Sequence, residues 1–220
     1  MEIGLIVLAI MLATLLGWLL KQSFNTTPWV ADAVDESAYQ APFNARPKLV
    51  ALATFLAVAT SFFALILSAY ALRMELGDWI PMTEPQLLWA NTAVLVFASV
   101  AFQWTRNHAV GGNAARIRPG LVLAGVLTTA FLVGQYIAWL QLYAAGQTLT
   151  ANPSNAFFYL LTAVHGLHIL GGMYVWVRAT VRAYGGRDPD TVKQSIELCT
   201  IYWHFLLFVW LILFGFMLST

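Results

Sequence analysis

The stretch Ala156–Val177, AFFYLLTAVHGLHILGGMYVWV, runs without an Asp, Glu, Lys or Arg. A hydrocarbon core about 30 Å thick takes about 20 mostly apolar residues in helical form. This stretch therefore reads as a transmembrane helix, and it sets the class of the chain. Five more read in the same way: Ile3–Leu20, Leu49–Leu72, Gln86–Thr105, Leu121–Leu142 and Ile196–Leu218. Turn formers divide them, among them Pro28, Pro42 and Pro47, Gly77 and Pro81, Gly111–Asn113, Asn152–Pro153 and Gly185–Pro189. The prediction is an all-α polytopic membrane protein with six transmembrane helices. Residues 1–22 form an N-terminal anchor, 23–47 a linker, and 48–220 a five-helix bundle.

Composition agrees. Hydrophobic residues make up 60% of the 220 and charged residues 10%, against roughly 25% charged in a soluble domain. So few charges leave a water-facing surface with large apolar patches, which excludes a soluble globular enzyme. A net charge of +1 gives no basic field for nucleic acid. A single cysteine, Cys199, excludes an internal disulfide and a cysteine-based metal cluster. The first apolar stretch follows Glu2 and precedes Lys21. That polarity is wrong for a cleaved signal peptide, so the stretch reads as an anchor.

Orientation follows from Lys and Arg. Lys21, Arg46 and Lys48 follow the first span; Arg106, Arg116 and Arg118 the third; Arg178, Arg182, Arg187 and Lys193 the fifth. Of the 11 basic residues, Arg73 alone is on the other side. The basic segments are read as cytoplasmic and both termini as periplasmic.

The acids all fall away from mid-bilayer. Glu197, at the cytoplasmic end of the sixth span, is the deepest placed. Mid-membrane ionisable groups are the usual marks of pumps and proton-coupled carriers. Their absence from the sequence argues against ion or proton transport by this chain, and leaves a neutral-solute carrier open.

Histidine supplies the remaining candidates. His165 and His168 share a face of the fifth span, and His204 lies on the sixth. At 1.5 Å per residue, His168 sits about 15 Å and His204 about 12 Å from the cytoplasmic ends of their spans. The three imidazoles are thus at comparable depth. Neutral imidazole ligates metal or haem; it also makes interhelical hydrogen bonds, for which Thr162, Tyr174, Thr200 and Tyr202 are candidate partners. Glu197 is nearly two turns from His204, too far for the carboxylate that usually supports a catalytic metal. The interhelical reading is preferred, with no metal assigned, and His108 is read as a solvated loop residue. Trp79, Trp139 and Trp176 fall near span ends, as interfacial aromatics do, while Trp203 and Trp210 lie deeper and are read as packing helices. Arg73, Arg106 and Arg178, at span ends, are candidates for binding lipid phosphate together with Trp79.

The order of motifs resembles subunit III of the haem–copper terminal oxidases. Phe62-Phe63 through Tyr70 is followed by Arg73, Trp79, Pro81 and Asn91-Thr92. Gln135 and Trp139 come next, then Phe158-Tyr159 with His165-Gly166-Leu167-His168, Gly171-Gly172 and Trp176. Tyr202-Trp203-His204-Phe205 and Trp210 close the series. The resemblance runs from about Leu49 to Thr220. Three acids usual in that family are replaced here, by Ala59, Ala138 and Leu207.

The resemblance implies an accessory subunit with no redox centre of its own, within an oxidoreductase complex of a bacterial cytoplasmic (inner) membrane. The implied partners are the catalytic subunit I, subunit II and membrane lipid. Haem and copper are expected in those partners, and phospholipid is the only cofactor expected here. Holding lipid and stabilising turnover are the implied roles, and the three lost acids count against a direct proton relay. Structural, interhelical duties are expected of His165, His168, His204, Trp203, Gln135 and Glu197. Cytochrome c and quinol are equally compatible donors. A nitric oxide reductase-associated protein is a close variant; a neutral-solute carrier and a His-ligated membrane enzyme are the alternatives of different class.

Overall fold

A computed structural model describes residues 47–82, 85–186 and 188–219. It contains five helices: α1 (Pro47–Met74), α2 (Leu87–Val110), α3 (Ala114–Ala144), α4 (Pro153–Tyr184) and α5 (Pro189–Leu218). Each is long and apolar enough to cross a membrane. The expected span Ile3–Leu20 and the linker as far as residue 46 lie outside the described residues.

The helices outrun the apolar stretches that announce them. At 1.5 Å per residue, the 24 residues of α2 and the 32 of α4 span roughly 36 and 48 Å. The excess turns stand in the interface, where backbone can still be solvated and basic side chains are at home. Several residues expected in loops are accordingly helical. Arg106 and His108 belong to α2, Arg116 and Arg118 to α3, Arg178 and Arg182 to α4, and Lys193 to α5.

Helix starts have local causes. Asn152 caps α4, accepting from the Ser154 N–H at 3.1 Å, and Pro153 follows where no N–H is needed. Asp188 caps α5 through the Thr191 N–H, with Pro189 behind it.

The chain divides into two compact units, Met1–Leu72 and Arg73–Thr220. In the first, α1 meets the polar demands of an apolar medium within itself. Thr54, Thr60 and Ser61 donate to the carbonyls of Val50, Leu56 and Ala57, each four residues back.

The second unit is an antiparallel four-helix arrangement in which α2 and α4 each pack on both α3 and α5. Close approach depends on glycine at four points, since a Cβ on Gly120 of α3 would overlap Thr105 and Trp104 of α2, and one on Gly172 of α4 would overlap Tyr202 of α5. A Cβ on Gly125 of α3 would overlap the ring of Trp176 in α4, and one on Gly134 would overlap the Asn91 amide of α2. Small residues at such positions let membrane helices pack backbone to side chain.

Candidate functional site

The interior of the second unit is held by one repeated polar link. Trp210 of α5 donates its indole N–H to Thr92 of α2 at 2.9 Å. Trp203 of α5 donates to Thr128 of α3 at 3.0 Å, and Trp139 of α3 to Thr162 of α4 at 3.0 Å. Each threonine passes its own proton to the carbonyl four residues back: Leu88, Ala124 and Phe158. Every hydroxyl thus both accepts and donates, and every indole N–H is satisfied away from water. Links from side chain to backbone add to these. Trp176 donates to the Leu121 carbonyl at 2.9 Å, and Tyr202 to the His168 carbonyl at 2.9 Å.

Around these links sits an aromatic core. Phe102 lies 4.3 Å, centroid to centroid, from Trp203, and Phe131 lies edge-on to Trp210 at 5.1 Å. Trp210 stacks on Phe214 at 6.1 Å. Trp203 and Trp210 are both fully enclosed.

The histidines go to three different environments. His165 is buried between Phe131, at 6.1 Å, and Trp210, at 5.3 Å. His168 turns to its own helix, its Nδ1 donating to the Val164 carbonyl at 2.8 Å. His204 stands on the α2/α5 seam, bonded through Nδ1 to Ser99 and through Nε2 to Gln103 Oε1 at 3.0 Å. Among the described residues no three His, Cys, Asp or Glu side chains converge on a common point. The named candidate residues Thr162, Tyr202 and Thr200 make the following bonds. Thr162 serves Trp139, Tyr202 serves the His168 backbone, and Thr200 donates to the carbonyls of Ile196 and Phe102. Tyr174 lies under Arg178, with 5.9 Å from guanidinium to ring centroid.

One further expectation is corrected. His108 is not a solvated loop residue: it is half-buried in the last turn of α2, edge-on to Trp104 at 4.4 Å. Glu197, eight residues into α5, accepts from Arg106 of α2 at 3.3 Å. Gln135 is 5% exposed in α3, beside Trp139 and Thr162 on the wall of an α3/α4 groove of about 250 Å³. Its amide has no hydrogen-bond partner among the described residues.

At the opposite end from the basic loops, Arg73 grips Asp78 with two N–H groups at 2.6 and 2.5 Å. Those hydrogen bonds hold the exposed Asp78 carboxyl below its ordinary range. Trp79 packs on Phe157 at 6.3 Å, and Asn152 donates to the Ile80 carbonyl at 2.5 Å. Both contacts join this loop to the start of α4.

The arrangement consists of neutral interhelical links, aromatic packing and ion pairs at the helix ends. Sequence reasoning missed Ser99, Gln103, Thr92 and Thr128. The signal was present for the first two, because Ser99 and Gln103 are polar residues one turn apart in a mostly apolar span.

Comparison with known proteins bears on what such a scaffold serves. The family model described as cytochrome c oxidase subunit III matches residues 5–219. The probable cytochrome c oxidase subunit 3 of Mycobacterium leprae (strain TN) is 29% identical over 175 residues, covering 77% of this chain and 87% of that protein. The cytochrome c oxidase subunit 3 of Candida parapsilosis is 27% identical over 205 residues, 87% of this chain and 75% of its own length. The corresponding protein of Nocardia farcinica (strain IFM 10152) is 28% identical over 177 residues, with 77% and 87% covered. These matches favour the oxidase reading over a nitric oxide reductase-associated protein, a carrier or a His-ligated enzyme.

Proposed function

Because the chain belongs to the cytochrome c oxidase subunit III family, we propose that it stands in a bacterial cytoplasmic membrane beside subunits I and II. The chain is an accessory oxidase subunit and a multi-pass membrane protein. In the proposed arrangement haem and copper belong to the partner subunits, and this chain supplies a rigid wall that holds lipid. Residues 1 and 220 face the periplasm, and Ile3–Leu20 forms a sixth span joined by a cytoplasmic linker. The helix-end residues Arg73, Arg106, Arg178 and Trp79 are the lipid contacts of this reading.

The observation that carries the proposal is the closed interior of α2–α5. Its buried indoles and threonines are spent on one another, so the unit is built to be a fixed surface for something else. The test is purification of the tagged chain from native membranes in mild detergent. The expected result is co-purification of haem-bearing subunits, with the haem spectrum unchanged when His204→Ala lowers the yield. Recovery of the chain alone, from membranes with assembled oxidase, overturns the reading. Labelling of cysteines introduced beside residues 1 and 220 from outside the cell tests the orientation, and protection of either refutes it.

A further inference from the structure

One seam of the second unit departs from the rule that polar groups turn inward. Along the α2/α5 boundary a file of hydrogen bonds runs from mid-membrane toward the basic end. Gln103 Oε1 can only accept, so His204 Nε2–H donates to it, and neutral His204 then accepts at Nδ1 from the Ser99 hydroxyl. Gln103 Nε2 in turn donates to Asn107 Oδ1 at 2.9 Å. The Arg106–Glu197 pair flanks the end of the file. Ser99 to Asn107 is eight residues, a rise of roughly 12 Å.

This file is not enclosed. His204 and Asn107 are exposed and Gln103 half-buried. The side chains of Arg106 and Glu197 retain 36% and 27% exposure. His204 lies roughly 12 Å inside the apolar run of α5. Acyl chains offer such groups no hydrogen bond, and exposed polar groups at that depth are costly. The shoulders are apolar: Val100, three residues before Gln103 on α2, is 58% exposed, and Phe208, four after His204 on α5, is 62% exposed. A polar file between apolar shoulders has the profile of a helix-binding face.

The valences left open specify the occupant. Both His204 nitrogens are used, but Gln103 and Asn107 each keep N–H and carbonyl capacity for another partner. We infer that the α2/α5 seam is the docking face for a transmembrane helix of another oxidase subunit. That helix brings a side chain able both to donate and to accept — a hydroxyl, an amide or a protonated acid — to the depth of Gln103 and His204. The inference rests on the accessory-subunit reading and goes beyond it by naming the face.

The test is site-specific photo-crosslinking in the haem-containing complex isolated from native membranes. The photoreactive residue replaces Val100 or Phe208, with Val126 of α3 and Leu167 of α4 as controls, 60% and 67% exposed. The expected result is a shift of this chain by the mass of another oxidase polypeptide from positions 100 and 208, and lipid or detergent adducts alone from 126 and 167. Lipid-only adducts at 100 and 208, or adducts to residues 1–46 or to a second copy of this chain, overturn the assignment. A purified chain with no haem-bearing partner defeats the accessory-subunit reading itself, and the docking face with it. Gln103→Leu supplies a second readout. The expected outcome is a chain still inserted in the membrane with less haem recovered beside it; undiminished recovery counts against the face.

Discussion

The indole N–H of Trp203 reaches the Thr128 hydroxyl at 3.0 Å, joining α5 to α3 across the interior, with both residues at 1% exposure or less. The Thr128 proton goes on to the Ala124 carbonyl at 2.8 Å. Thr128→Val keeps the shape and strands the Trp203 donor, for an expected loss of about 1–3 kcal/mol. Thr128→Ser keeps the hydroxyl and loses one methyl, for about 1 kcal/mol. Thermal unfolding of the detergent-solubilised complex should rank wild type above Ser above Val. Equal midpoints for Ser and Val would mean that the link contributes nothing.

Gly125 and Gly166 lie on facing helices but have opposite surroundings. A Cβ at Gly125 overlaps the Trp176 ring, itself tethered to the Leu121 carbonyl, whereas one at Gly166 meets nothing within 4 Å. Gly125→Ala should cost about 1–3 kcal/mol through overpacking. Gly166→Ala should change stability by about 1 kcal/mol or less and in the favourable direction, through helix propensity. The same melting experiment separates them, and matched behaviour would contradict the close approach of α3 and α4.

The Arg73–Asp78 grip gives a pH dependence of known sign. The guanidinium hydrogen bonds lower the folded carboxyl's pKa, so the folded state binds the proton less readily than the unfolded state. The stabilisation is complete above the ordinary Asp range near pH 4 and is lost as the pH falls through the lowered folded value. The pair is exposed, so its effect is small and is screened by salt. Acid titration of stability at low and high salt, for wild type and Asp78→Asn, should show this component in the wild type at low salt alone.

A carboxylate-directed carbodiimide should leave four of the five helices untouched, because α1, α2, α3 and α4 contain no Asp or Glu. Peptide mapping is expected to find label on the loop acids, on exposed Asp190 in the first turn of α5 and on Glu197, which Arg106 only partly covers. Ala59→Glu should introduce reactivity in α1 where the native chain has none. Inhibition of turnover by the reagent should then map to another polypeptide. Inhibition that tracks label on Glu197 would return a proton-handling role to this chain.

Hydropathy and punctuation were enough to find α1 to α5. Asn152–Pro153 and Gly185–Pro189 were legible as dividing turns, and the structure starts α4 and α5 within them, at Pro153 and Pro189. Helix ends were less legible, since a hydropathy pattern measures the hydrocarbon core while the helix continues into the interface. That is why Arg116, Arg118 and His108 read as loop residues. The family was legible from His165-Gly166-Leu167-His168 and Tyr202-Trp203-His204-Phe205, because contiguous motifs survive without knowledge of packing. Side-chain partners were not. Whether Thr162 faces His165 or Trp139 depends on the rotation and register of two helices, which neither helix encodes alone. Ser99 and Gln103 acquire meaning only once α5 lies against α2 with His204 between them.

The links that close the interior of α2–α5 are between indoles, hydroxyls and carbonyls, groups without net charge. An energised membrane does work on charge, about 2.3 kcal/mol for each elementary charge carried across 100 mV. Neutral donor–acceptor pairs give that field no charge to move. These helices should therefore keep their spacing as the voltage across them rises and collapses with respiration, presenting an unchanging wall to whatever chemistry is driven beside it.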